Sequence, residues 1–289
     1  MRVAITGAGG MLGKDLAPLL AKSHEVLALH HAACDITEEA AVLRVFREWQ
    51  PNLAVNCAAF TDVDGCEREP ERAFAINAHG AGNVARAAAK AGARLFHIST
   101  DYVFDGAKRI PYQEADATNA INIYGQSKLE GEREVLNIES EGGKALVIRT
   151  SWLYGLQGAN FVEKILQAAQ TQRELEVVAD QVGCPTWTMH LAQKIAKLIE
   201  TEATGILHAA GSGECTRYEF ARAIVEKLPK PVKVTPIDST KINRPAKRPP
   251  YSVLDCRRLE ELGLARMPHW RQALEEYFQL RETAAVNAK

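Results

Sequence analysis

The sequence predicts an α/β protein with a doubly wound parallel sheet and a smaller C-terminal lobe. Short apolar runs alternate with longer amphipathic segments from residue 2 to about residue 150, and a glycine-rich turn follows the first apolar run. After residue 150 the alternation becomes less regular. Strands that alternate with helices pair in parallel through right-handed crossovers. The first half of the chain therefore has the pattern of a Rossmann-type sheet.

Five short strands are predicted in the first half, at residues 2–5, 26–29, 53–56, 95–98 and 145–148. The segments between them predict helices at residues 11–21, 38–49, 71–91 and 123–138. In the second half we expect helices at 159–172, 188–201, 216–227 and 268–281, and strands at 175–178 and 205–208. The proline- and lysine-rich stretch from residue 229 to residue 250 predicts mostly loop, and the residues after 281 are expected to fray.

Composition argues against several classes of function. Thirty-five basic residues against 36 acidic ones give a formal net charge of -1, so the charge balance does not indicate a nucleic-acid partner. No apolar run reaches the roughly 18 residues of a membrane helix, and the N-terminus lacks the pattern of a signal peptide. The six cysteines are scattered without metal-ligand spacing. We therefore expect a cytoplasmic protein with reduced thiols and without metal, nucleic-acid or membrane partners.

A glycine turn follows the first predicted strand directly. Gly7, Gly10 and Gly13 give the spacing GxxGxxG at the start of the first helix. Glycine allows a tight turn and the close approach of a pyrophosphate, whose charge is favoured by the free N–H groups of the helix N-terminus. The turn therefore predicts an NAD(P)-binding domain over residues 1–150. Residues 151–289 are then mainly a substrate-binding lobe, some segments of which can return to the sheet.

The ends of the next two strands bear on the choice of cofactor. An acidic residue at the end of the second strand would bind the ribose 2′-hydroxyl of NAD. This strand instead ends in His30 and His31, and the next carboxylate is Asp35. Without an acidic residue at this position, nothing repels the 2′-phosphate of NADPH. The sequence therefore favours NADPH, with NADH as the alternative. The third strand is followed by the small residues Ala58 and Ala59, which would let a cofactor lie close to the backbone.

A candidate catalytic group lies at the end of the fourth strand and on the helix that follows it. Ser99 and Thr100 end that strand, at the sheet edge where open α/β sheets bind ligands. Tyr124 and Lys128 stand at i and i+4 and so share one helix face. A phenol has an ordinary pKa of about 10, and an ammonium one turn away is expected to lower it for proton transfer. His97, inside the strand pattern, is interpreted as a core residue.

Together these motifs resemble those of the extended short-chain dehydrogenase/reductase superfamily. The strings STDYVFDG, NIYGQSKLEGE, VIRTSWLYG, NFV and DQVGCPT resemble one family within it, the dTDP-4-dehydrorhamnose reductases of dTDP-L-rhamnose synthesis. The match runs along essentially the whole chain and keeps the order of the motifs. It implies an NAD(P)H-dependent oxidoreductase that reduces the C4 keto group of dTDP-4-dehydro-L-rhamnose to dTDP-L-rhamnose, a precursor of cell-surface polysaccharide.

The resemblance also implies roles for individual residues. Tyr124 would protonate the C4 oxygen of the keto sugar, Lys128 would tune Tyr124 and hold the cofactor ribose, and Thr100 would complete the triad. Besides Ser99, the cofactor would contact the glycine turn, the adenine side and the end of the third strand, at Gly7, Gly10, Met11, Leu12, Gly13, Asp35, Ile36, Ala58, Ala59 and Thr61. The substrate would contact residues after the fourth and fifth strands, namely Asp101, Tyr102, Trp152, Asn160 and Phe161. Trp152 is expected to stack on the sugar.

Two further residues concern phosphate and metal binding. Arg248 lies in the basic string RPAKRPPYS, and its planar guanidinium suits the diphosphate of a nucleotide sugar. We therefore predict that Arg248 binds substrate. Some members of the family hold magnesium with acidic residues at a subunit contact. Asp15 could supply one carboxylate, but residues 186–190 supply none, so we predict no metal and leave a homodimer open.

Two other functions are open at this point. The first is a dehydratase, epimerase or reductase of another nucleotide 4-keto sugar. Related dehydratases carry Asp-Glu after the threonine, whereas Thr100 is followed by Asp101 and Tyr102, which favours a reductase. The second is a non-catalytic regulatory subunit that binds NADP, as some proteins that resemble the family do. The intact set of Thr100, Tyr124 and Lys128 argues against that function.

Overall fold

A six-stranded parallel sheet forms the centre of the protein, whose residues 1–287 are described by a computed structural model. The strands of the chain are β1 (Arg2–Thr6), β2 (Glu25–Leu29), β3 (Leu53–Asn56), β4 (Arg94–Thr100), β5 (Ala145–Thr150), β6 (Leu153–Tyr154), β7 (Glu174–Val178), β8 (Val182–Gly183), β9 (Thr186–Trp187), β10 (Gly205–His208), β11 (Cys215–Thr216) and β12 (Lys233–Ile237). The central sheet has the order β10-β5-β4-β3-β1-β2, with every pair parallel. The predicted fold class is confirmed.

Helices cover both faces of this sheet and build most of the C-terminal lobe. They are α1 (Met11–Leu20), α2 (Glu39–Trp49), α3 (Val63–Arg68), α4 (Pro70–Phe74), α5 (Ala81–Lys90), α6 (Ile123–Leu136), α7 (Phe161–Thr171), α8 (Thr188–Leu198), α9 (Arg217–Val225), α10 (Arg258–Glu261) and α11 (Trp270–Asn287). Within residues 1–287, none of the helices combines the length and apolarity needed to cross a membrane.

The strand order creates the crevice in which open α/β sheets bind ligands. Strand β1 lies between β2 and β3, so the chain reverses its direction of winding at β1. The carboxyl ends of β1, β3 and β4 open onto the same edge there. Strand β10, from the second half of the chain, returns to this sheet beside β5. The division of the chain at residue 150 stays a prediction.

Apolar clusters pack on each face of the sheet, and a separate cluster fills the C-terminal lobe. The lobe cluster is centred on buried aromatic rings from β6, α9 and α11, among them Tyr154, Phe220 and Tyr277. Helix α9 begins with a capping box, in which Thr216 and Glu219 satisfy each other's backbone N–H groups. The lobe therefore has its own core beside the sheet.

The predicted helical segment at residues 71–91 is helical without a break from Pro70 to Lys90, but it is not a regular α-helix throughout. The chain forms α4, then a π-helical turn at Ala75–Gly80, then α5. The wider turn positions the buried side chain of Asn77. Its Oδ1 accepts from the Phe60 N–H, and its Nδ2 donates to the Phe60 carbonyl and, at 3.0 Å, to Ser127 Oγ. Asn77 thereby ties the loop after β3 to α6. Such π-turns occur frequently at functional sites.

Two further segments differ in detail from the predictions. The stretch 229–250 is mostly loop, as predicted, but it also contains β12, which was not predicted and which pairs in parallel with β7. Pro236 lies inside β12 and is tolerated because β12 is an edge strand of its small sheet. Helix α11 continues to Asn287 rather than fraying after Arg281, and residues 288–289 lie outside the described residues.

Candidate active site

The glycine turn and the end of β3 meet at close range. Gly7 has a φ of +68°, and a Cβ there would lie 2.4 Å from the Ala58 backbone nitrogen. Both the backbone conformation and this approach require glycine. Gly10, which has no side chain to cap the helix, precedes α1, so the first N–H groups of α1 remain available to an anion.

A cavity of about 360 Å³ lies between this turn, the ends of β3, β4 and β5, and helix α6; we name it the inner cavity. Most of the predicted site residues line it, namely Gly10, Met11, Leu12, Gly13, Ala59, Thr61, Ser99, Thr100, Asp101, Tyr102, Tyr124, Lys128 and Trp152. Thr150 also lines it, and its buried hydroxyl oxygen has no hydrogen-bond partner within residues 1–287. A cradle of helix N–H groups and an unpaired hydroxyl suits a dinucleotide.

Helix α6 is anchored so that Tyr124 points into the inner cavity. The Asn122 side chain caps the helix by accepting from the Gly125 N–H at 2.7 Å. A Cβ on Gly125 would lie 2.1 Å from the Tyr102 carbonyl oxygen, so glycine is needed between the tyrosine and the lysine. The rings of Tyr102 and Tyr124 pack edge to face at 5.7 Å. The glycine therefore lets the segment after β4 approach α6.

The pKa shift predicted for Tyr124 has the wrong direction in this structure. Burial raises the Tyr124 pKa, and hydrogen bonding with Thr100 lowers it by less. The Lys128 Nζ instead donates to the Ile98 carbonyl at 2.7 Å and lies 3.2 Å from His97 Nε2. Burial lowers the Lys128 pKa to about 8. Desolvation thus disfavours both charged forms, and Tyr124 is a neutral phenol that can donate a proton.

Asp101 organises the hydroxyl groups beside Tyr124. Thr100 Oγ1 donates to Asp101 Oδ1 at 3.0 Å, and Ser151 Oγ donates to Asp101 Oδ2 at 3.1 Å. Burial raises the Asp101 pKa, and these hydrogen bonds oppose that shift. The same Thr100 hydroxyl is within hydrogen-bonding reach of Tyr124, whose pKa it lowers. Asp101 therefore orients the pair rather than simply lining the pocket.

The Ser99 hydroxyl is turned away from the predicted cofactor contact. Successive residues of a strand point to opposite faces, and Ser99 Oγ donates to Glu132 Oε1 at 2.5 Å. Glu132 in turn forms a fully buried ion pair with Arg149, 2.7 Å from its Nη2. This ion pair joins α6 to β5. Ser99 thus helps to hold α6 against the sheet.

A second cavity, of about 430 Å³, opens from the inner one and is named the outer cavity. The two share five lining residues, Val63, Tyr102, Trp152, Leu153 and Arg217. The predicted substrate residues Asn160, Phe161 and Arg248 line the outer cavity only. Eight residues that were not predicted also line it alone, namely Lys164, Ile165, Glu176, Val177, Val178, Gln181, Ile242 and Arg244. The side chains facing it carry mainly positive charge, which suits a nucleotide diphosphate.

Trp152 and Arg217 form the junction between the two cavities. Trp152 has a φ of +46°, which is unusual for a bulky residue and typical of functional sites. The Arg217 guanidinium lies over the indole, 3.4 Å from the ring centroid, and Gly183 leaves room for the Nε1 side of the ring. The indole face under Arg217 is not free for the predicted stacking of a sugar.

Arg248 is held by the protein rather than left free for phosphate. Its two terminal nitrogens each lie 2.7 Å from one carboxylate oxygen of Asp64. The Ala246 carbonyl accepts a further hydrogen bond from Arg248 at 2.6 Å. The paired guanidinium keeps its charge at the rim of the outer cavity. Arg217 and Arg244 are therefore better placed than Arg248 to contact a phosphate directly.

The side chains of three other predicted site residues are engaged within the protein itself, two by hydrogen bonds and one by burial. Asn160 Oδ1 caps α7 by accepting from the Glu163 N–H, and its Nδ2 donates to the Gly155 carbonyl. Asp35 accepts from the backbone and hydroxyl of Thr37. Ile36 is buried. Asp35, Ile36, Gly7 and Ala58 lie outside the inner-cavity lining, and their contacts with adenine or pyrophosphate stay predictions.

The described residues do not bring together three or more metal-ligating side chains. Asp15, the candidate metal ligand, accepts a hydrogen bond from Thr188 Oγ1 at 2.5 Å. That contact ties α1 to α8. The six cysteines are free thiols.

Sequence reasoning missed Arg217, the residue that joins the two cavities. Its only signal is local: the string TRYE predicts a capping box that puts Arg217 in the first turn of a helix. That signal does not show which way the side chain points. Contacts with Trp152 and Tyr102, which lie far away in the sequence, bring it into the site.

The fold, the glycine turn and the Thr100–Tyr124–Lys128 group define an oxidoreductase of the extended short-chain dehydrogenase/reductase class. A family model described as RmlD substrate binding domain matches residues 1–282. The dTDP-4-dehydrorhamnose reductase of Mycolicibacterium smegmatis is 45% identical over 280 residues, which cover 95% of this chain and 84% of that protein. The chain belongs to the dTDP-4-dehydrorhamnose reductase family.

Solved structures of the same family agree with this assignment. A dTDP-4-dehydrorhamnose reductase of Clostridium acetobutylicum has a TM-score of 0.94 and 42% identity, covering 98% of this chain and all of that one (100%). The enzyme of Bacillus anthracis, solved in complex with NADP, has a TM-score of 0.93 and 40% identity, covering 96% of this chain and 98% of that one. The sequence-based assignment of the family is confirmed.

Proposed function

We propose that this protein reduces the C4 keto group of dTDP-4-dehydro-L-rhamnose to give dTDP-L-rhamnose, with NADPH as the preferred cofactor. The observation that carries the proposal is the meeting of Thr100, Tyr124 and Lys128 in a cavity that continues into a second, cation-lined one. The first cavity suits a nicotinamide and a small ketone. The second suits a nucleotide diphosphate.

The residues of the inner cavity account for the proton side of the reaction. When bound, NADPH supplies the hydride that adds to the carbonyl carbon. Tyr124 donates its phenolic proton to the carbonyl oxygen, and the product alcohol leaves with that proton. Thr100, held by Asp101, keeps the Tyr124 oxygen in place. Lys128 would hold the nicotinamide ribose and return a proton to the phenolate, so that each turnover takes up one proton from solvent.

The outer cavity would hold the nucleotide end of the substrate. Arg217 lies at the junction, where the diphosphate of a sugar seated beside Tyr124 must pass. Arg244 and Lys164 extend the positive charge outward. A planar guanidinium that stacks on Trp152 is fixed in orientation before substrate arrives, which lowers the entropy cost of binding. The dTDP base and the L-rhamno configuration are supported by the names of the related enzymes.

A spectrophotometric assay tests the proposal directly. NADPH and NADH are supplied separately with dTDP-4-dehydro-L-rhamnose, and loss of reduced cofactor is followed together with the sugar product. We expect steady, stoichiometric oxidation, faster with NADPH. The corresponding UDP- and GDP-linked 4-keto sugars are assayed in parallel to measure whether the protein selects the nucleotide base. Folded protein that binds NADPH but oxidises none with either cofactor would refute the proposal and favour the regulatory-subunit hypothesis.

Localisation and assembly form a separate part of the proposal. We infer a cytoplasmic protein, which the six free thiols support because disulfides are rare in that compartment. A homodimer stays a prediction. Cell fractionation and light scattering of the purified protein measure the two properties.

A further inference from the structure

A row of buried polar side chains crosses the sheet behind the inner cavity. Thr6, Asn56 and His97 are in register on β1, β3 and β4, and Lys128 on α6 lies at the end of the row. Thr6 Oγ1 donates to Asn56 Oδ1 at 2.7 Å, Asn56 Nδ2 lies 3.1 Å from His97 Nδ1, and His97 Nε2 lies 3.2 Å from Lys128 Nζ. All four side chains are buried. Of these residues, only Lys128 lines the inner cavity.

The orientation of the Asn56 amide is fixed by a backbone donor. Asn56 Oδ1 accepts from the Ala58 N–H at 3.1 Å as well as from Thr6. A backbone N–H cannot accept a hydrogen bond, so the amide oxygen must face Ala58 and the amide nitrogen must face His97. The nearest nitrogen of His97, Nδ1, therefore has to be an acceptor.

The one remaining ring proton of His97 lies on the nitrogen that faces Lys128. Burial and the nearby Lys128 charge lower the His97 pKa far below its ordinary value, so His97 is neutral and carries one N–H. With Nδ1 accepting from Asn56, that proton is on Nε2 and points at Lys128 Nζ. An ammonium has three N–H groups and no lone pair, whereas an amine can accept. The amine form matches this arrangement, while its other protons are free for the Ile98 carbonyl and a ligand.

We propose that Asn56 and His97 are positioning residues that present a single N–H to Lys128 and thereby favour its amine form over its ammonium form. This inference rests on the proposed reductase. After Tyr124 gives its proton to the sugar oxygen, the phenolate takes a proton from the Lys128 ammonium, leaving amine and phenol. Solvent then returns one proton to Lys128. A weakly held proton on Lys128 makes the first of these transfers more favourable, and the N–H of His97 adds to burial in lowering the pH above which Lys128 is no longer charged.

Other groups near Lys128 shift its pKa in known directions. Glu132, one turn later on α6, and Cys57, after β3, raise the Lys128 pKa, whereas burial lowers it more strongly. Tyr124 lies one turn earlier on the same helix. Because His97→Leu removes the hydrogen bond without adding charge, a shift of the Lys128 pKa in this variant as well as in Asn56→Asp reports the hydrogen bond from His97.

The tautomer of His97 tests the proton count without cofactor or sugar. The protein has eight histidines, so ¹⁵N-histidine NMR spectra are assigned with the variant His97→Gln. We expect Nε2–H with an unprotonated Nδ1 in the unchanged protein. In Asn56→Asp, an acceptor replaces the amide donor, and the proton should move to Nδ1. Thr6→Val is the matched control, because the Ala58 N–H still fixes the amide and the tautomer should stay. Nδ1–H in the unchanged protein would overturn the proposal.

The pH profile of NADPH oxidation tests the effect on Lys128. Turnover should fall on the alkaline side as Lys128 loses its proton, near the pH of about 8 at which the lysine titrates. Asn56→Asp reverses the hydrogen bond, and His97→Leu removes it without adding charge. Both should move the alkaline limb up, by at least about one pH unit in Asn56→Asp, or tenfold in the protonation constant. An unmoved limb in both folded variants would overturn the proposal. If the unchanged protein oxidises no NADPH, the reductase function fails instead, and the NMR result alone decides the proton count.

Discussion

The inner and outer cavities differ in how their side chains are held. The inner cavity is lined by the ends of buried strands and by α6. Thr100 and Lys128 are almost fully buried there, at 5% and 2% exposed, and Tyr124 is partly buried. The outer cavity is lined by β7, by the first turns of α7 and α9, and by the irregular segment around Arg244. Lys164 and Arg244 are exposed to solvent there.

This difference separates proton transfer from charge recognition. In the inner cavity burial raises the pKa of Tyr124 and Asp101 and lowers that of Lys128. Small changes in their surroundings therefore change their protonation. In the outer cavity, guanidinium groups remain charged throughout the physiological range. Mutations in the inner cavity should therefore lower turnover, whereas mutations in the outer cavity should lower substrate affinity.

The largest effect is expected for Tyr124→Phe in the inner cavity. Removal of a positioned proton donor costs about 10²- to 10⁴-fold, and we expect that loss in kcat with little change in the affinity for NADPH. Turnover and cofactor binding are measured by stopped-flow and fluorescence titration. Near-normal turnover in this variant would contradict the assignment of Tyr124 as the donor.

A smaller effect, of a different kind, is expected for Arg217→Gln at the junction. The loss of a charged hydrogen bond to phosphate costs about 1.5–3 kcal/mol, or roughly 10- to 100-fold in binding. We expect it mainly as a higher KM for the nucleotide sugar. The control Lys197→Gln removes a positive charge that lines neither cavity. A fall in kcat at unchanged KM would show that Arg217 belongs with the reacting groups.

The sequence was informative where the evidence is local. The strand ends, the glycine turn and the spacing of Tyr124 and Lys128 are patterns within a few residues, and the structure brings them to one cavity. The direction of the Tyr124 pKa shift could not be predicted in this way. It depends on how deeply the phenol is buried and on Lys128 turning towards Ile98 and His97.

The outer cavity was harder to predict because its residues act through distant partners. Arg248 was expected to bind phosphate, but Asp64, 184 residues away in the sequence, holds its guanidinium. Arg217 lies over Trp152 because α9 packs against the loop after β5. A basic residue in a loop looks the same in the sequence whether it is paired or open. Only the tertiary contacts distinguish the two.

The variant Asn160→Ala distinguishes two roles for this side chain: substrate binding, as predicted from the sequence, and capping of α7, as observed in the structure. If the side chain is a helix cap, its removal should lower the free energy of unfolding by about 1 kcal/mol and leave KM nearly unchanged. Urea unfolding and steady-state kinetics measure the two effects. Asn160→Asp retains a capping oxygen and should keep most of the stability. A several-fold rise in KM with unchanged stability would instead support direct binding of substrate by Asn160.

The smallest effect concerns the ion pair that holds Arg248 at the rim. Hydrogen bonding with Arg248 is the main cause of the lowered Asp64 pKa. A carboxyl with a lowered folded-state pKa adds stability above its unfolded pKa of about 4, and that stability is lost as the pH falls through the folded value.

Asp64→Asn should therefore cost stability at pH 7, by less than about 1 kcal/mol for a partly exposed pair, and the difference should vanish at strongly acid pH. Thermal unfolding between pH 2 and pH 7 (roughly the span over which a carboxyl titrates) measures this difference. The variant also frees the Arg248 guanidinium. If Arg248 then contacts the diphosphate, KM should fall at neutral pH. A difference in stability that persists unchanged at acid pH would show that Asp64 acts through packing rather than charge, and the rim of the outer cavity would then resemble the inner cavity in depending on burial.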